Sequence, residues 1–339
     1  MPNLRKLLYP FSLLYHGVTE VRNKLYDTGI FKSTQYNLPV IAVGNLNMGG
    51  TGKSPMIEYL IESLGENYKV ASLSRGYKRE SEGFQLVEIS DSAKKSGDEP
   101  LQFKNKYPDA IVAVDANRRE GIEELLKYSP DVILLDDAFQ HRKVKAGLYI
   151  LLTAYDDLYV DDLILPAGNL RESSTGAERA QIVIVTKCPA DLETSEMNSI
   201  RKKINPSSDQ SLFFSSIKYA DHIISANEKM ILKDLEASDS EFVLVTGIAN
   251  PAPLIAFLAS KNIELKHHKF PDHHNFTFKE IDQLKKASKI LTTEKDYMRL
   301  KDKLPLEKLY YLPIEIEFLD NRKEEFDRKI TKYVNKKEV

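Results

Sequence analysis

Three features of the chain predict an α/β fold: short unbroken apolar runs, helical patterns between them, and a glycine-rich turn joining the first run to a helix. The runs at 69–73, 110–114, 132–135, 148–152 and 182–185 are continuous rather than alternating, as strands are in a parallel sheet covered on both faces. The prediction is an α/β/α sandwich over residues 1–210 with a second, smaller α/β domain at 222–306. A two-stranded linker (211–221 and 307–318) joins them, and a C-terminal helix or tail follows at 319–339. A chain of 339 residues with 42% hydrophobic and 29% charged residues has ample core for this.

The first segment places Leu4, Leu7, Leu8, Phe11, Leu14, Val18, Val21 and Leu25 at helical spacing, with Arg5, Lys6, Arg22 and Lys24 between them. Pro10 divides it into a short turn and a longer helix. Such a helix either packs on its own domain or lies on a membrane with its basic residues near anionic head groups.

The run at 39–43 then leads into Asn47-Met48-Gly49-Gly50-Thr51-Gly52-Lys53-Ser54-Pro55, after which Met56, Ile57, Leu60, Ile61 and Leu64 mark one face of a helix. A strand, a glycine-rich turn and a helix in that order make a nucleotide-phosphate site, so the sandwich is P-loop NTPase-like. Asn47 through Ser54 are the nucleotide-binding candidates. The glycines let backbone N–H groups turn inward, Lys53 reaches the β- and γ-phosphates, and the Ser54 hydroxyl holds Mg²⁺. Asn47 stands where the strict pattern has its first glycine.

Asp136 and Asp137 end the run at 132–135, where a nucleotide-bound Mg²⁺ needs oxygen ligands. Asp98 and Glu99, in Gly97-Asp98-Glu99-Pro100, read either as a helix start or as a proton acceptor and a metal ligand. Arginine-bearing loops follow three predicted strands, at 74–79, 117–121 and 165–172. The planar guanidinium fork suits an anionic acceptor. The late segments 212–217 and 310–316 read as partners in the linker. Strands at 242–245 and 289–293 and a helix from Pro253 build the second domain, and the lysine-rich C-terminus reads as a solvated helix end. Four histidines cluster at 267–274 without zinc spacing. Asp272 and His273 read as projecting into a cleft, His267 and His268 as surface residues.

Composition excludes several classes. A net charge of −2 gives no global positive field for nucleic acid. The single cysteine, Cys188, excludes an intramolecular disulfide and fits a reducing compartment. No apolar run is long enough to span a bilayer, and the N-terminus lacks a signal-peptide core.

Taken in order, Gly44-Asn45 with Gly49 to Pro55, Ser74-Arg75-Gly76-Tyr77, Gly97 to Pro100, Asp136-Asp137-Ala138-Phe139-Gln140-His141, Leu170-Arg171-Glu172, Phe270-Pro271-Asp272-His273 and Thr293-Glu294-Lys295-Asp296 resemble the tetraacyldisaccharide 4′-kinase family. That family also tolerates a non-glycine at Asn47, and usually has proline where this chain has Asn169. The resemblance implies transfer of the ATP γ-phosphate to the 4′-hydroxyl of a lipid A disaccharide 1-phosphate precursor, giving lipid IVA, with ATP and Mg²⁺ required. Asp98 is then the general base, paired with His273, and Lys53 neutralises phosphate charge. Ser54, Glu99, Asp136 and Asp137 are metal-site residues. Tyr77, Arg119, His141, Arg171 and Glu172 are acceptor-side candidates. Asp98 and His273 would lie on different domains, so domain closure would complete the site.

Because a tetraacylated acceptor stays in the bilayer, the resemblance also implies peripheral docking on the cytoplasmic face of the inner membrane through the first helix. It implies no nucleic acid and no obligate protein partner. The alternative is a P-loop GTPase or assembly ATPase without a lipid acceptor. Thr186-Lys187-Cys188-Pro189 speaks against guanine recognition, because Pro189 stands where the base-reading aspartate belongs.

Overall fold

The computed structural model describes residues 5–235 and 242–336, so Leu4 lies outside the described residues. The strands are β1 (Val40–Asn45), β2 (Val70–Ser74), β3 (Gln85–Leu86), β4 (Ile111–Val114), β5 (Val132–Asp136), β6 (Leu148–Ala154), β7 (Ile182–Thr186), β8 (Ser211–Tyr219), β9 (His222–Ile224), β10 (Lys229–Ile231), β11 (Phe242–Thr246), β12 (Lys266–Lys269), β13 (Lys289–Thr293), β14 (Leu309–Leu312) and β15 (Ile314–Phe318). They form two sheets, of order β15-β8-β7-β6-β1-β5-β2-β4-β3 and β10-β9-β14-β13-β11-β12.

In the larger sheet β1 runs parallel to both neighbours, β5 and β6. Its burial on two faces explains the unbroken apolar run. Ile41 and Val43 join the core under the helix Lys53–Gly65, whereas Val40 and Ala42 join a core with Ile122 and Leu125 on the other face. The phosphate loop therefore leaves a central strand at its carboxyl end, where open α/β sheets bind ligands.

The predicted linker is corrected in one respect. The run at 310–316 is not one strand: it divides at Pro313. Before the proline, β14 pairs in parallel with β13 in the smaller sheet. After it, β15 pairs antiparallel with β8, matching Ile314 to Tyr219 and Phe318 to Ser215. Strand β8 in turn pairs with β7, so the connection is the edge of the main sheet. The apolar core is shared as well, with Val243, Ile290 and Met298 joining the cluster that contains Met56 and Phe213.

The C-terminus is a second correction. The helix Lys323–Val334 buries Phe326, Ile330 and Val334 at four-residue spacing. Phe326 meets Phe213, Phe318 and Tyr59. The Tyr333 hydroxyl donates to the Val40 carbonyl at 3.0 Å and accepts from its N–H at 3.1 Å. Its lysines stand on the opposite face.

A short 3-10 turn (Lys6–Leu8) precedes the first long helix, Tyr9–Asp27, with Pro10 in its first turn. This helix is attached by its polar side. Only Ser12 and Asn23 are buried in it, whereas Phe11 is 63% exposed, Leu14 70% and Val18 62%. Among the described residues, no helix is long and apolar enough to cross a membrane.

Candidate active site

The turn after β1 is shaped by two glycines with positive φ, Gly49 (146°) and Gly52 (84°), and Gly52 caps the helix Lys53–Gly65. Asn45 organises it from beneath. Its Nδ2 donates to the carbonyls of Asn47 (2.8 Å) and Gly49 (3.3 Å), and its Oδ1 accepts from Lys53 Nζ at 3.2 Å. Asn47 needs no glycine because its φ is not positive. Its side chain is fully buried and reaches Asp162 at 3.4 Å. This contact anchors the start of the loop. Met48 is likewise tied down, its N–H donating to Asn169 O at 2.7 Å.

The carboxylates gather beside this turn. Glu99 Oε1 accepts from Ser54 Oγ at 2.5 Å and also from Lys295 Nζ. Burial opposes ionisation of Glu99, but the Lys295 ammonium outweighs it and holds the carboxyl below its usual range. Asp136 is the reverse case. Burial first, then the charges of Glu99 and Asp137, push it up to about 7. Its Oδ2 accepts from Ser74 at 3.2 Å, while the buried Oδ1 has no hydrogen-bond partner among the described residues. Asp137 lies 3.7 Å from Lys53 Nζ and 2.9 Å from Arg171 Nη1. Partial burial opposes its ionisation, but those cations outweigh it and hold the carboxyl below the usual range.

A second carboxylate system bridges the two sheets. Asp98 opens the helix Asp98–Lys106 of the larger unit. His273, in a left-handed turn (φ 54°) after β12, places Nδ1 3.2 Å from Asp98 Oδ2. Arg299 grips the same oxygen with Nε at 2.9 Å and with Nη2. Asp296 in turn fixes Arg299 at 2.7 Å and accepts the Gly247 N–H at 2.8 Å. Burial works against the Asp98 charge, but the His273 hydrogen bond and the Arg299 guanidinium overcome it and hold the carboxyl far below its usual range.

The acceptor-side candidates divide. Tyr77 is 62% exposed and makes an edge contact with the His273 ring at 5.5 Å, so it stands at the mouth of the cleft. Arg171 faces Asp137. The half-buried His141 ring is driven down to about 4 by burial and by Arg118 and three further cations. Arg119 projects into solvent, and its neighbour Arg118 is the buried member, donating to the carbonyls of Asp115 and Asp136. Glu172 lies deeper than the others. It is 3% exposed and takes hydrogen bonds from Asn23 (2.8 Å), Gln140 (3.1 Å) and Arg179 (2.7 Å). Its oxygens tie the first helix to the arginine loop.

The overall architecture finds its counterpart in known proteins. The family model for tetraacyldisaccharide-1-P 4′-kinase matches residues 4–335. The chain belongs to this family. It is 52% identical over 336 residues to the tetraacyldisaccharide 4′-kinase of Flavobacterium johnsoniae, covering 98% of this chain and 97% of that one. It is 46% identical over 355 residues to that of Bacteroides thetaiotaomicron, covering 98% and 93%. A crystal structure of LpxK from Aquifex aeolicus in complex with ATP superposes with a TM-score of 0.79 at 30% identity, covering 98% of this chain and 99% of that one.

Against this family background, the residues that sequence reasoning missed are Asn45, Lys295 as a site residue, Arg118 and Arg299. Lys295 sits in the Thr293-Glu294-Lys295-Asp296 motif, which was the available signal. Arg299 had none, because the Asp98 carboxylate it grips lies some 200 residues away in sequence. The Asn169 departure is also explained. Its N–H donates to Asp162 at 3.1 Å, a bond that proline cannot make, and its Oδ1 accepts from Arg5 at 2.9 Å.

Proposed function

We propose that this chain transfers the γ-phosphoryl group of ATP to the 4′-hydroxyl of a tetraacylated glucosamine disaccharide 1-phosphate, a lipid A precursor. The observation that carries this reading is the meeting of Asp98 and His273 beside the Ser54–Glu99 pair of the phosphate turn. A nucleotide binder without an acceptor has no use for a carboxylate held ready there.

The geometry supports the following roles. Lys53 neutralises charge on the β- and γ-phosphates, and Asn45 aims its ammonium. Asp98 accepts the hydroxyl proton while that oxygen bonds to the γ-phosphorus and the bridging oxygen leaves with ADP. His273 orients the carboxylate. Arg171 at the cleft suits the anionic disaccharide.

The donor set fits Mg²⁺. Asp136 has a buried oxygen with no hydrogen-bond partner among the described residues and feels the charge of Glu99, which in turn holds the Ser54 hydroxyl; all three offer hard oxygen ligands. Ser54, Glu99 and Asp136 would hold the cation, with Asp137 beside them. When bound, it supplies charge neutralisation on the phosphates.

The first helix docks the protein on the cytoplasmic face of the inner membrane. Its apolar face points outward while Ser12 accepts from Ala167 N–H and donates to Ile164 O, both at 2.9 Å. The test of the reading is nucleotide turnover with and without the tetraacyl disaccharide 1-phosphate. ADP release from ATP that depends on the disaccharide supports it; preference for GTP, or turnover without any lipid, supports the GTPase alternative.

A further inference from the structure

Three ammonium groups converge on the phosphate turn, and only Lys53 has been given a task. Lys187 follows β7 in a left-handed conformation (φ 58°) and donates to the Gly50 carbonyl at 2.5 Å. Lys295 comes from the smaller unit, in the helix Glu294–Leu300, and donates to the Glu99 oxygen that also receives the Ser54 hydroxyl. The three lie close enough to repel. After burial, the charges of Lys295 and Lys53 are the forces that lower the Lys187 ammonium. Clustered cations are costly unless a polyanion shares the space.

Lys295 differs from a simple latch between the units. One turn further along the same helix Arg299 already supplies the latch, with a side chain 8% exposed and a forked contact to Asp98. Lys295 is more open, its side chain 30% exposed, and its flexible stem ends beside the phosphate turn. It therefore has both reach and a partner, Glu99, that another cation can take over.

We propose that Lys295 is a catalytic residue that touches the transferred phosphoryl group, delivered from the smaller unit as Lys53 is from the larger. This rests on the phosphoryl-transfer reading above. The bond from the acceptor oxygen to the γ-phosphorus forms, the bond to the β,γ-bridging oxygen breaks with its electron pair kept by ADP, and the proton goes to Asp98. Lys295 moves no proton. Its ammonium stabilises the negative charge on the γ-oxygens, which ADP lacks.

The experiment compares the parent chain with Lys295→Ala and Lys295→Arg by calorimetric binding of Mg-AMP-PNP and of Mg-ADP, alongside kcat on the tetraacyl disaccharide 1-phosphate. Thermal midpoints confirm folding. The expected result for Lys295→Ala is at least a 10-fold loss of the AMP-PNP affinity relative to ADP. A fall in kcat of about 10²–10³-fold and partial recovery in Lys295→Arg are also expected. An unchanged AMP-PNP to ADP affinity ratio overturns the proposal, as does a rise in acceptor KM with kcat retained. A parent chain that binds both nucleotides but never phosphorylates the disaccharide overturns the functional reading instead, and the affinity ratio still judges Lys295.

Discussion

His273 Nδ1 lies 3.2 Å from Asp98 Oδ2, although 175 residues separate them in sequence, with Asp98 opening a helix of the larger unit and His273 in the turn after β12 of the smaller sheet. The contact depends on β8 and β15 being paired at the edge of the main sheet, which sets the smaller unit over the phosphate turn. Base and orienting histidine are thus assembled by the tertiary fold.

Residues that act as a unit lose activity non-additively. Asp98→Ala and His273→Ala should each lower kcat on the disaccharide, and the double variant should lose less than the product of the two effects. Steady-state kinetics on all three variants checks this. Near-normal kcat in Asp98→Ala would remove it from the proton-accepting role.

The Asp98 carboxyl also predicts a pH dependence of stability. Its folded value is depressed by His273 and Arg299, while in an unfolded chain it titrates near about 3.9. The stabilisation is therefore complete above the unfolded value and is lost as pH falls through the folded one. Asp98→Asn should be less stable than the parent at neutral pH, and the gap should close on acidification below about pH 4. Thermal midpoints across that range measure it; a gap independent of pH contradicts it.

Glu172 offers a contrast between structure and chemistry. Its carboxylate accepts from Asn23, Gln140 and Arg179. Removing a buried acceptor leaves those donors unsatisfied, at a cost of about 1–3 kcal/mol for each buried group so stranded. Glu172→Ala should lower stability in chemical denaturation and loosen the first helix. Unchanged stability with a raised acceptor KM would return Glu172 to the acceptor side.

The outward apolar face of the first helix predicts lipid binding separable from folding. Replacing Phe11, Leu14 and Val18 with serine should weaken sedimentation with anionic vesicles and leave the thermal midpoint nearly unchanged, because these side chains are exposed. Equal vesicle binding by the variant would assign the helix to internal packing.

What the sequence disclosed follows from range. The strands and the phosphate turn were legible because apolar periodicity and glycine spacing are local, and the strand at 289–293 was read to the residue. The division at Pro313 was missed because Tyr310 and Ile316 are equally apolar and only their partners differ. The C-terminal helix was misread through its lysines, although Phe326, Ile330 and Val334 carried the buried stripe. Glu172 looked functional beside Arg171, and only its burial distinguishes the two. Arg299 was invisible, since nothing near it in the chain announces Asp98.

The most direct measurement is to incubate the protein with Mg-ATP and the tetraacyl disaccharide 1-phosphate and locate the new phosphate by mass spectrometry and phosphorus NMR. A single phosphate added at the 4′ position is the predicted result. Phosphorylation at any other hydroxyl, or hydrolysis of ATP with the disaccharide left unchanged, would contradict the account.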